Sequence, residues 1–401
     1  MKYKFIYSVF FVVFLILIGC GSNPQKITNE TTKKIVKFDG KAYFAGFALS
    51  GDFQQSKMNF PVTSLILEEK NKGISIIDDA IQQKIKLVKN SNFDLVTDSY
   101  GDYKKGDGIA LAAVLDSEDV SQELIDGKYK IVLTIRGQLI AFNFKEMKVV
   151  GSYPVTAEYI DAAPKKQNND ELKQSLKKLY IESKKSFIGE LADRLQNIVI
   201  NAGDTSNLQI KNVKFSNDIK ASLIKDGQSD RDLMTVLARN FEKYLSINQN
   251  VSVLPFTKDQ SVGGRLSARF SNGDVFNLKL PDSDFNIDME IKKLIKARVN
   301  GNNVEDVYGY VAIVNYKVVQ PTASKIYFDA DIRNALPVTI PKGVSSEDKS
   351  HYFESLIQLS NNFTKQIVKP DSEYLETWVE SKANLENQFS ELSQKVIFQC
   401  K

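Results

Sequence analysis

The side chains that most often carry enzyme chemistry are scarce in this 401-residue sequence. His351 is its single histidine, and Cys20 and Cys400 are its two cysteines. Multi-histidine zinc sites are therefore excluded, and any histidine-based catalytic triad would have to use His351. Because His351 stands between Ser350 and Tyr352, ahead of a helical pattern, we interpret it as an exposed residue near a helix start. The sequence favours a protein that is not an enzyme, with no catalytic residue, metal site or cofactor.

Adjacent acids and glycine-bearing loops offer no stronger signal for chemistry. The pairs Asp78–Asp79 and Glu118–Asp119 carry carboxylates of the kind used in acid–base catalysis or calcium binding. No EF-hand pattern surrounds either pair, and we interpret both as solvated surface charge. The loops at Gly106–Gly108 and Gly263–Gly264 do not have the spacing of a phosphate-binding loop. We therefore expect neither a bound cation nor a bound nucleotide.

The amino terminus has the composition of a secretory signal peptide. Lys2 and Lys4 form a short basic end, Phe5–Ile18 is almost wholly apolar, and polar residues follow Cys20. This order is typical of a cleaved signal, and the apolar stretch is short for a spanning helix, which needs roughly 17–25 residues. The alternative is an uncleaved anchor with an incidental cysteine. Pro24 disfavours that alternative, because proline interrupts a continuing helix.

The motif Leu17-Ile18-Gly19-Cys20 resembles the lipobox of bacterial lipoproteins. The resemblance implies cleavage before Cys20 and modification of its thiol and new amine by acyl chains such as palmitate. Each chain contributes about 0.8 kcal/mol per buried CH₂, so two or three chains anchor a protein firmly. Gly21, rather than aspartate, follows the cysteine, which resembles enterobacterial sorting to the outer membrane. Since a thioether cannot form a disulfide, we expect Cys400 to be a free terminal thiol; pairing between two molecules is the alternative.

Charge and composition exclude some partner classes. Apolar residues make up 42% of the sequence and charged residues 25%, which is ordinary for a globular protein. The formal charge is +4, and loss of Lys2 and Lys4 with the signal peptide leaves +2. A chain this close to neutrality does not predict nucleic acid as its partner.

Similar elements recur in the same order along the two halves of the sequence. Each half has a strand, a helical pattern, a second strand, a variable insert, a pair of strands and a further helix. We therefore predict an α/β (α+β) fold of two tandem mixed strand–helix units with a C-terminal helix. The predicted parts are a signal peptide at 1–19, a lipidated tether at 20–40, a first unit at 41–203, a second unit at 204–369 and a C-terminal amphipathic helix at 370–401.

Four segments carry a more specific prediction. The apolar run Ile109–Leu115 fits either a helix or a strand, and residues 285–299 are ambiguous in the same way. A single long helix is predicted to begin at Asn168 and to end at Gly203. Asn272-Gly273 separates two apolar segments and predicts a tight hairpin turn, because Asn-Gly accommodates positive φ angles.

Val251–Phe256 is predicted to be a strand that ends at a proline. It resembles the VAVLPF-type strand of small periplasmic α/β domains. Those include the amino-terminal domain of the Tol–Pal translocation protein and the curli secretion lipoprotein. The resemblance implies a non-enzymatic role in envelope assembly.

The tail from Pro370 to Lys401 is predicted to be an amphipathic helix. Apolar residues recur seven apart, and the seam is interrupted at Lys382. We expect this face to pack on the body's own sheet, with a coiled coil between two chains as the alternative. The residues of the seam that we regard as candidates for an interaction are Trp378, Leu385, Phe389 and Leu392.

Together these patterns predict where the protein is and how it works. We expect an envelope lipoprotein, anchored through Cys20 to the outer membrane, that acts as a non-enzymatic assembly, scaffold or interaction factor. Its expected partners are the membrane and other envelope proteins. The alternative is a surface-exposed lipoprotein that acts as an adhesin or binds glycans.

Overall fold

A computed structural model provides the structure of the protein. It describes residues 38, 40–51, 59–97, 108–125, 127–183, 185–200, 206–224, 229–257, 265–270, 275–344, 347–381 and 384–401. The predicted signal peptide, the lipidation site Cys20 and the predicted turn at Asn272-Gly273 lie outside these ranges.

The described residues form both helices and strands, and the longest strands follow one another in two groups of three. The strands are β1 (Lys41–Ser50), β2 (Lys70–Asn71), β3 (Ile74–Ser75), β4 (Asp94–Val96), β5 (Ile109–Ile125), β6 (Lys128–Asn143), β7 (Lys148–Ala163), β8 (Leu208–Phe215), β9 (Arg265–Phe270), β10 (Val275–Lys279), β11 (Phe285–Gly301), β12 (Glu305–Gln320), β13 (Lys325–Pro341) and β14 (Val379–Glu380). The helices are α1 (Pro61–Leu67), α2 (Ile76–Ile85), α3 (Asn169–Ile181), α4 (Phe187–Asn197), α5 (Asn217–Leu223), α6 (Asp230–Gln249), α7 (Asp348–Gln366), α8 (Ser372–Trp378) and α9 (Leu385–Glu391). The predicted mixed α/β fold is confirmed.

The first sheet closes on itself. Its strand order is β4-β1-β5-β6-β7-β10-β9, and β9 pairs again with β1 over Ala48–Ser50. β1 lies parallel to β5, and β5, β6 and β7 form an antiparallel meander. The apolar run Ile109–Leu115 is thus a strand, and it is buried on both faces. Such two-sided burial explains why the run lacks the alternation of a half-exposed strand.

The two faces of the first sheet are covered differently. α1 to α4 cover one face, where residues such as Ile135, Leu176 and Phe187 form a large apolar core. The opposite face is lined by small residues, including Ala110 and Ala112, and it packs against β10 and Leu254. Short side chains let the β9–β10 segment approach closely and complete the closure.

The second sheet has the order β14-β13-β12-β11-β8. β8 lies parallel to β11, and β11, β12 and β13 form an antiparallel meander. The ambiguous residues 285–299 therefore belong to a strand. α5, α6, α7 and the C-terminal segment cover one face, with Phe363 at the centre of an aromatic cluster. Its neighbours, with ring-centroid distances, are Tyr316 at 4.7 Å, Phe328 at 5.3 Å, Phe389 at 6.1 Å and Phe241 at 6.2 Å.

The predicted tandem organisation is confirmed by the meanders. β5, β6 and β7 begin at residues 109, 128 and 148, and β11, β12 and β13 begin 176 to 177 residues later at 285, 305 and 325. A bulge interrupts β5 at Asp116 and β11 at Lys292, again 176 residues apart. The two units therefore share strand order, strand length and the position of an irregularity, although their residues differ.

Three details of the prediction are wrong. The helix expected over 168–203 is two helices, because Ser186 accepts a hydrogen bond from the Gly189 amide and caps a new start. Val251–Phe256 is not a strand, and only Leu254 forms a bridge, to Gln209. The β9–β10 pair, expected within the second unit, belongs to the first sheet. Pairing with β1 and β7 is not encoded in the local pattern of the hairpin.

The C-terminal tail is also more divided than expected. α8 ends at Trp378, β14 then pairs with Asp331 and Ile332 of β13, and α9 follows. The tail is divided because it forms hydrogen bonds with backbone groups at the edge of β13. Besides the pairing of β14, the amide of Asp329 donates to the Gln388 side chain, at 2.6 Å. The expected packing of the tail on the body's own sheet is observed.

Candidate functional site

The second sheet presents one face that the described helices do not cover. Along β12, burial alternates from Tyr310 to Val318: even-numbered side chains lie in the core and odd-numbered ones are half-buried. Cross-strand neighbours share a face, so the register places the partners of the odd-numbered β12 residues on this same side. We call it the open face. Its side chains on β11, β12 and β13 are Asp288, Glu290, Lys293, Ile295, Val311, Ile313, Asn315, Lys317, Asp329, Asp331, Arg333, Ala335 and Pro337.

One half of the open face is charged. Asn315 lies at its centre, and its amide donates to Asp331 at 2.8 Å and to Asp329 at 3.1 Å. Lys292 lies 3.0 Å from Asp331, and this hydrogen bond raises the pKa of Lys292. Lys317 approaches Asp329 at 4.0 Å. The side chains of these ion pairs are partly exposed, and exposed ion pairs contribute little to stability.

The other half of the open face is apolar. Ile295, Val311 and Ala335 are direct neighbours across the three strands. Ile313 lies in the next row, flanked by Lys293 and Arg333. Ile295 is 42% exposed, which is unusual for a large apolar side chain in the middle of a strand. This row of contiguous apolar residues bordered by charge has the composition of a protein-binding surface.

The corresponding face of the first unit has no such character. Applying the 176–177-residue offset, Asp288, Lys317 and Asp329 correspond to Ala112, Ile140 and Ser152. Ala112, Ile140 and Ser152 are all fully buried. At these three positions the first unit has small or apolar side chains that are buried near β10, whereas the second unit has charged ones; farther along the strands the first unit is polar, at Thr134, Arg136 and Gln138.

An aromatic and charged cluster lies on the opposite side of the same strands. Lys296 donates to Asp348 at 2.7 Å, and its ammonium lies 4.7 Å from the ring centre of Tyr308. The hydroxyl of Tyr310 donates to the same carboxylate at 2.6 Å. Burial acts to raise the pKa of Asp348, but the hydrogen bonds from Lys296 and Tyr310 lower it overall. The cluster fastens the first turn of α7 to the sheet.

The single histidine belongs to this cluster. The predicted position near a helix start is observed, since α7 begins three residues before His351 at Asp348. Its ring lies 4.8 Å from that of Tyr310, so His351 is half-buried rather than fully exposed. Burial lowers the pKa of His351, which keeps the imidazole neutral over more of the physiological range.

The predicted interaction residues of the tail divide into two groups. Phe389 and Leu392 are buried in the second core, at 1% and 2% exposure, and are not available to a partner. Leu385 packs partly against the same core, and Trp378 is half-buried at the end of α8. Cys400 is 2% exposed, because the tail folds its end into the core. The seam therefore serves mainly the protein's own packing.

The acidic pairs serve local structure. Asp78 is buried beside Ser75, whose hydroxyl caps the start of α2. Glu118 accepts hydrogen bonds from the amides of Val62 and Thr63, at 2.9 and 2.7 Å. A carboxylate at a helix start satisfies amides that have no partner within the helix. Among the described residues, no group of three or more histidine, cysteine, aspartate or glutamate side chains is arranged to hold a metal ion.

A buried charge network joins the two units, and no local pattern in the sequence predicts it. Arg239 of α6 lies 3.0 Å from Glu242 and 3.8 Å from Asp116 at the β5 bulge. Glu242 also accepts a hydrogen bond from the Phe256 amide at 2.6 Å, and Gln138 donates to Asp116 at 2.9 Å. Burial raises the pKa of Glu242 to about 7, although Arg239 opposes the shift. Asp116 and Arg239 are 123 residues apart in the sequence, so local patterns cannot reveal their contact.

Two further findings concern membrane-spanning helices and similarity to known proteins. No helix among the described residues is both long and apolar enough to span a bilayer. No protein-family model matches the sequence, and no curated protein matches it.

Several solved structures share a distant similarity. A DUF330 protein from Xanthomonas campestris has 7% identity and a TM-score of 0.23, covering 40% of this chain and 82% of its own. A neuraminyllactose-binding hemagglutinin homolog from Helicobacter pylori has 11% identity and a TM-score of 0.22, covering 43% and 89%. A minor lipoprotein from Acinetobacter baumannii has 10% identity and a TM-score of 0.19, covering 41% and 87%. Similarities at this level carry no argument about function, which has to come from the chain's own residues.

Proposed function

We propose that this protein is a lipid-anchored factor of the cell envelope that holds a partner protein on its open face and catalyses no reaction. The lipobox at Leu17-Ile18-Gly19-Cys20 supports the anchor, and Gly21 supports the outer membrane as its location. The open face is the observation that carries the interaction. A scaffold needs a rigid surface whose exposed groups match a partner, and a sheet backed by a packed core provides one.

The composition of the open face defines the partner that it fits. The row of Ile295, Val311 and Ala335 would be covered by apolar side chains, while Lys293 and Arg333 beside it would meet carboxylates. The partner is thus an envelope protein with an apolar patch that has acidic residues at its border. Apolar burial would supply most of the affinity, and the charges would fix orientation.

Substituting the apolar row tests this proposal. The double variant Ile295→Asp/Ile313→Asp places two charges in the contact, and we expect at least about a tenfold loss of co-purified partner. The measurement is quantitative mass spectrometry after affinity purification of the full chain from detergent-solubilised membranes. Leu87→Asp is the matched control, since Leu87 is 77% exposed and lies in the first unit.

The melting temperatures of the two variants show whether each is folded. We expect the double variant to be folded and to co-purify less partner, while the control co-purifies as much partner as the wild type. An undiminished yield from the double variant contradicts the role of the open face.

The anchor has a separate test. We expect Cys20→Ala to abolish acylation and to accumulate as an uncleaved precursor, because the thiol is the attachment point for the acyl chains. Metabolic labelling with a fatty-acid analogue measures this directly, and Cys400→Ala is the control for the second cysteine. Equal labelling of the wild type and Cys20→Ala would disprove lipidation at Cys20.

The aromatic cluster supports a second candidate, a surface-exposed adhesin or glycan-binding lipoprotein. Tyr308 is half-buried beneath the ammonium of Lys296, and aromatic rings next to polar groups are suited to stacking on sugars. External protease added to intact cells distinguishes the two functions. Degradation of the body on intact cells supports the adhesin, whereas protection until the envelope is opened supports the assembly factor.

A further inference from the structure

Each unit contains one strand that continues beyond its parallel neighbour. β1 pairs with β5 only as far as Leu115, and β8 pairs with β11 only as far as Ile291. Beyond these points, residues 116–125 and 292–301 have a meander strand on one side and no described strand on the other. We call these two segments the β5 edge and the β11 edge. A strand edge of this kind offers backbone groups that can pair with another strand.

The two edges occupy equivalent positions and have opposite charge. Residue 116 corresponds to residue 292 by the repeat offset, and each lies at the bulge of its strand. The β5 edge contains four acidic residues and no basic one: Asp116, Glu118, Asp119 and Glu123. The β11 edge contains four basic residues and no acidic one: Lys292, Lys293, Lys296 and Arg298.

Local contacts determine which of these charges are accessible. Asp116 and Glu118 are held inside by Arg239 and the start of α1. Asp119 is paired with Arg136 but is 53% exposed, and Glu123 is half-buried and accepts a hydrogen bond from Ser121. On the other edge, Lys293 is exposed and forms no ion pair with any described residue. Arg298 is paired with Asp306 at 2.8 Å, but its side chain is 55% exposed. Exposed pairs of this type are weak and can exchange partners.

Both edges also expose apolar side chains beside the charges. Leu124 is 62% exposed on the β5 edge, and Val299 is 63% exposed on the β11 edge. The free edge of β13 is different, because Pro337 and Pro341 lack the N–H groups that a new strand would need. Among the described edges of the second meander, proline blocks that of β13 but leaves that of β11 able to pair.

From this complementarity we propose that the protein self-associates head to tail, with the β5 edge of one copy pairing with the β11 edge of another. Two β5 edges repel each other, as do two β11 edges, so the charges select the mixed pair. When two copies pair in this way, one copy still has a free β5 edge and the other a free β11 edge. Further copies can therefore add to form a row or a ring. Anchored chains share one plane, which raises their effective concentration and allows a weak contact to act.

Two charge-reversal variants test the proposal. One is Asp119→Lys/Glu123→Lys on the β5 edge, and the other is Lys293→Glu/Arg298→Glu on the β11 edge. Sedimentation velocity of the full mature chain, in density-matched detergent micelles, measures association at low ionic strength. We expect concentration-dependent association of the wild type and at least about a tenfold weaker association of each variant alone.

The mixture of the two variants gives the sharpest result. Each retains one unaltered edge, and the two reversed edges are again opposite in charge to each other, so an equimolar mixture should associate where neither variant does so alone. Lys365→Glu/Lys369→Glu, at and just after the end of α7, makes the same change in net charge as the β11-edge variant but away from both edges, and should associate like the wild type.

Three results would overturn the proposal: a monomeric wild type, unimpaired association of either variant alone, or failure of the mixture to associate. Near-native melting temperatures confirm that the variants are folded. The β5-edge variant Asp119→Lys/Glu123→Lys keeps this test separate from that of the open face, because Lys293 and Ile295 belong to both the open face and the β11 edge. Loss of the envelope partner with intact self-association, or the reverse, shows which of the two proposals fails.

Discussion

Replacing Phe363 by alanine is expected to produce the largest loss of stability of any single change in the second unit. Phe363 of α7 is 1% exposed and lies within 4.7 to 6.2 Å, between ring centres, of four aromatic neighbours on α6, β12, β13 and α9. Its removal leaves a cavity that these rigid rings cannot fill. Truncations of buried phenylalanine cost about 3–5 kcal/mol of unfolding free energy.

Chemical denaturation of the wild type and Phe363→Ala measures this effect. Phe398→Ala is the control, since Phe398 is 61% exposed near the C terminus and should change the unfolding free energy by less than about 0.5 kcal/mol. Similar small losses in both variants would contradict the position of Phe363 at the centre of the core.

Substituting Glu242 by glutamine is expected to remove much of the pH dependence of stability. Burial raises the pKa of Glu242 from 4.5 to about 7 in the folded protein, so between these values the folded state holds a proton that the unfolded state has released. The stabilising contribution is complete below pH 4.5 and is lost as the pH rises through 7. The loss is about 3 kcal/mol, from 1.36 kcal/mol per pKa unit.

Unfolding free energies at pH 5 and pH 8 test this prediction. The wild type should lose more stability between these pH values than Glu242→Gln, whose amide cannot ionise. His351, whose pKa is lowered, titrates in each protein and so cancels in the comparison. Asp116, whose pKa is raised, shares Arg239 with Glu242, so the measured difference belongs to the two carboxylates together. The same pH dependence in the two proteins would show that Glu242 does not titrate in this range.

Features that depend on neighbouring residues were predictable from the sequence. The capping boxes of Asn168 with Glu171 and of Ser229 with Asp232 are present at the starts of α3 and α6. Each involves a side chain and an amide three residues apart, so the sequence contains the whole interaction. The order of elements in the two units followed from the same kind of local pattern.

Features that depend on distant contacts were not predictable. The pairing of β9 with β1 joins Phe270 to Ala48 across more than half of the chain. The local pattern of the hairpin is compatible with either sheet, whereas the packing of β10 on small residues of the first sheet involves residues far away in the sequence. The contact between Asp116 and Arg239 was not predictable either, because it joins the β5 bulge to a helix of the other unit, far away in the sequence.

The candidate site falls between these cases. The alternation of buried Tyr310, Ala312 and Val314 with half-buried Val311 and Ile313 can be read from β12 as a half-exposed strand. The sequence does not say that the equivalent charged positions are buried in the first unit, and that contrast identifies the open face. The sequence favoured the seam of the tail as an interaction surface, but the seam packs mainly in the protein's own core.

The central claim is that the open face holds a partner in the intact envelope. Site-specific photocrosslinking tests it most directly, with a photoreactive residue at Val311 on the open face or at Leu87 as an exposed control. After irradiation of living cells, we predict one discrete crosslinked product from position 311, absent from position 87 and lost in the Cys20→Ala background. No crosslink at position 311, or the same product from both positions, would contradict the account.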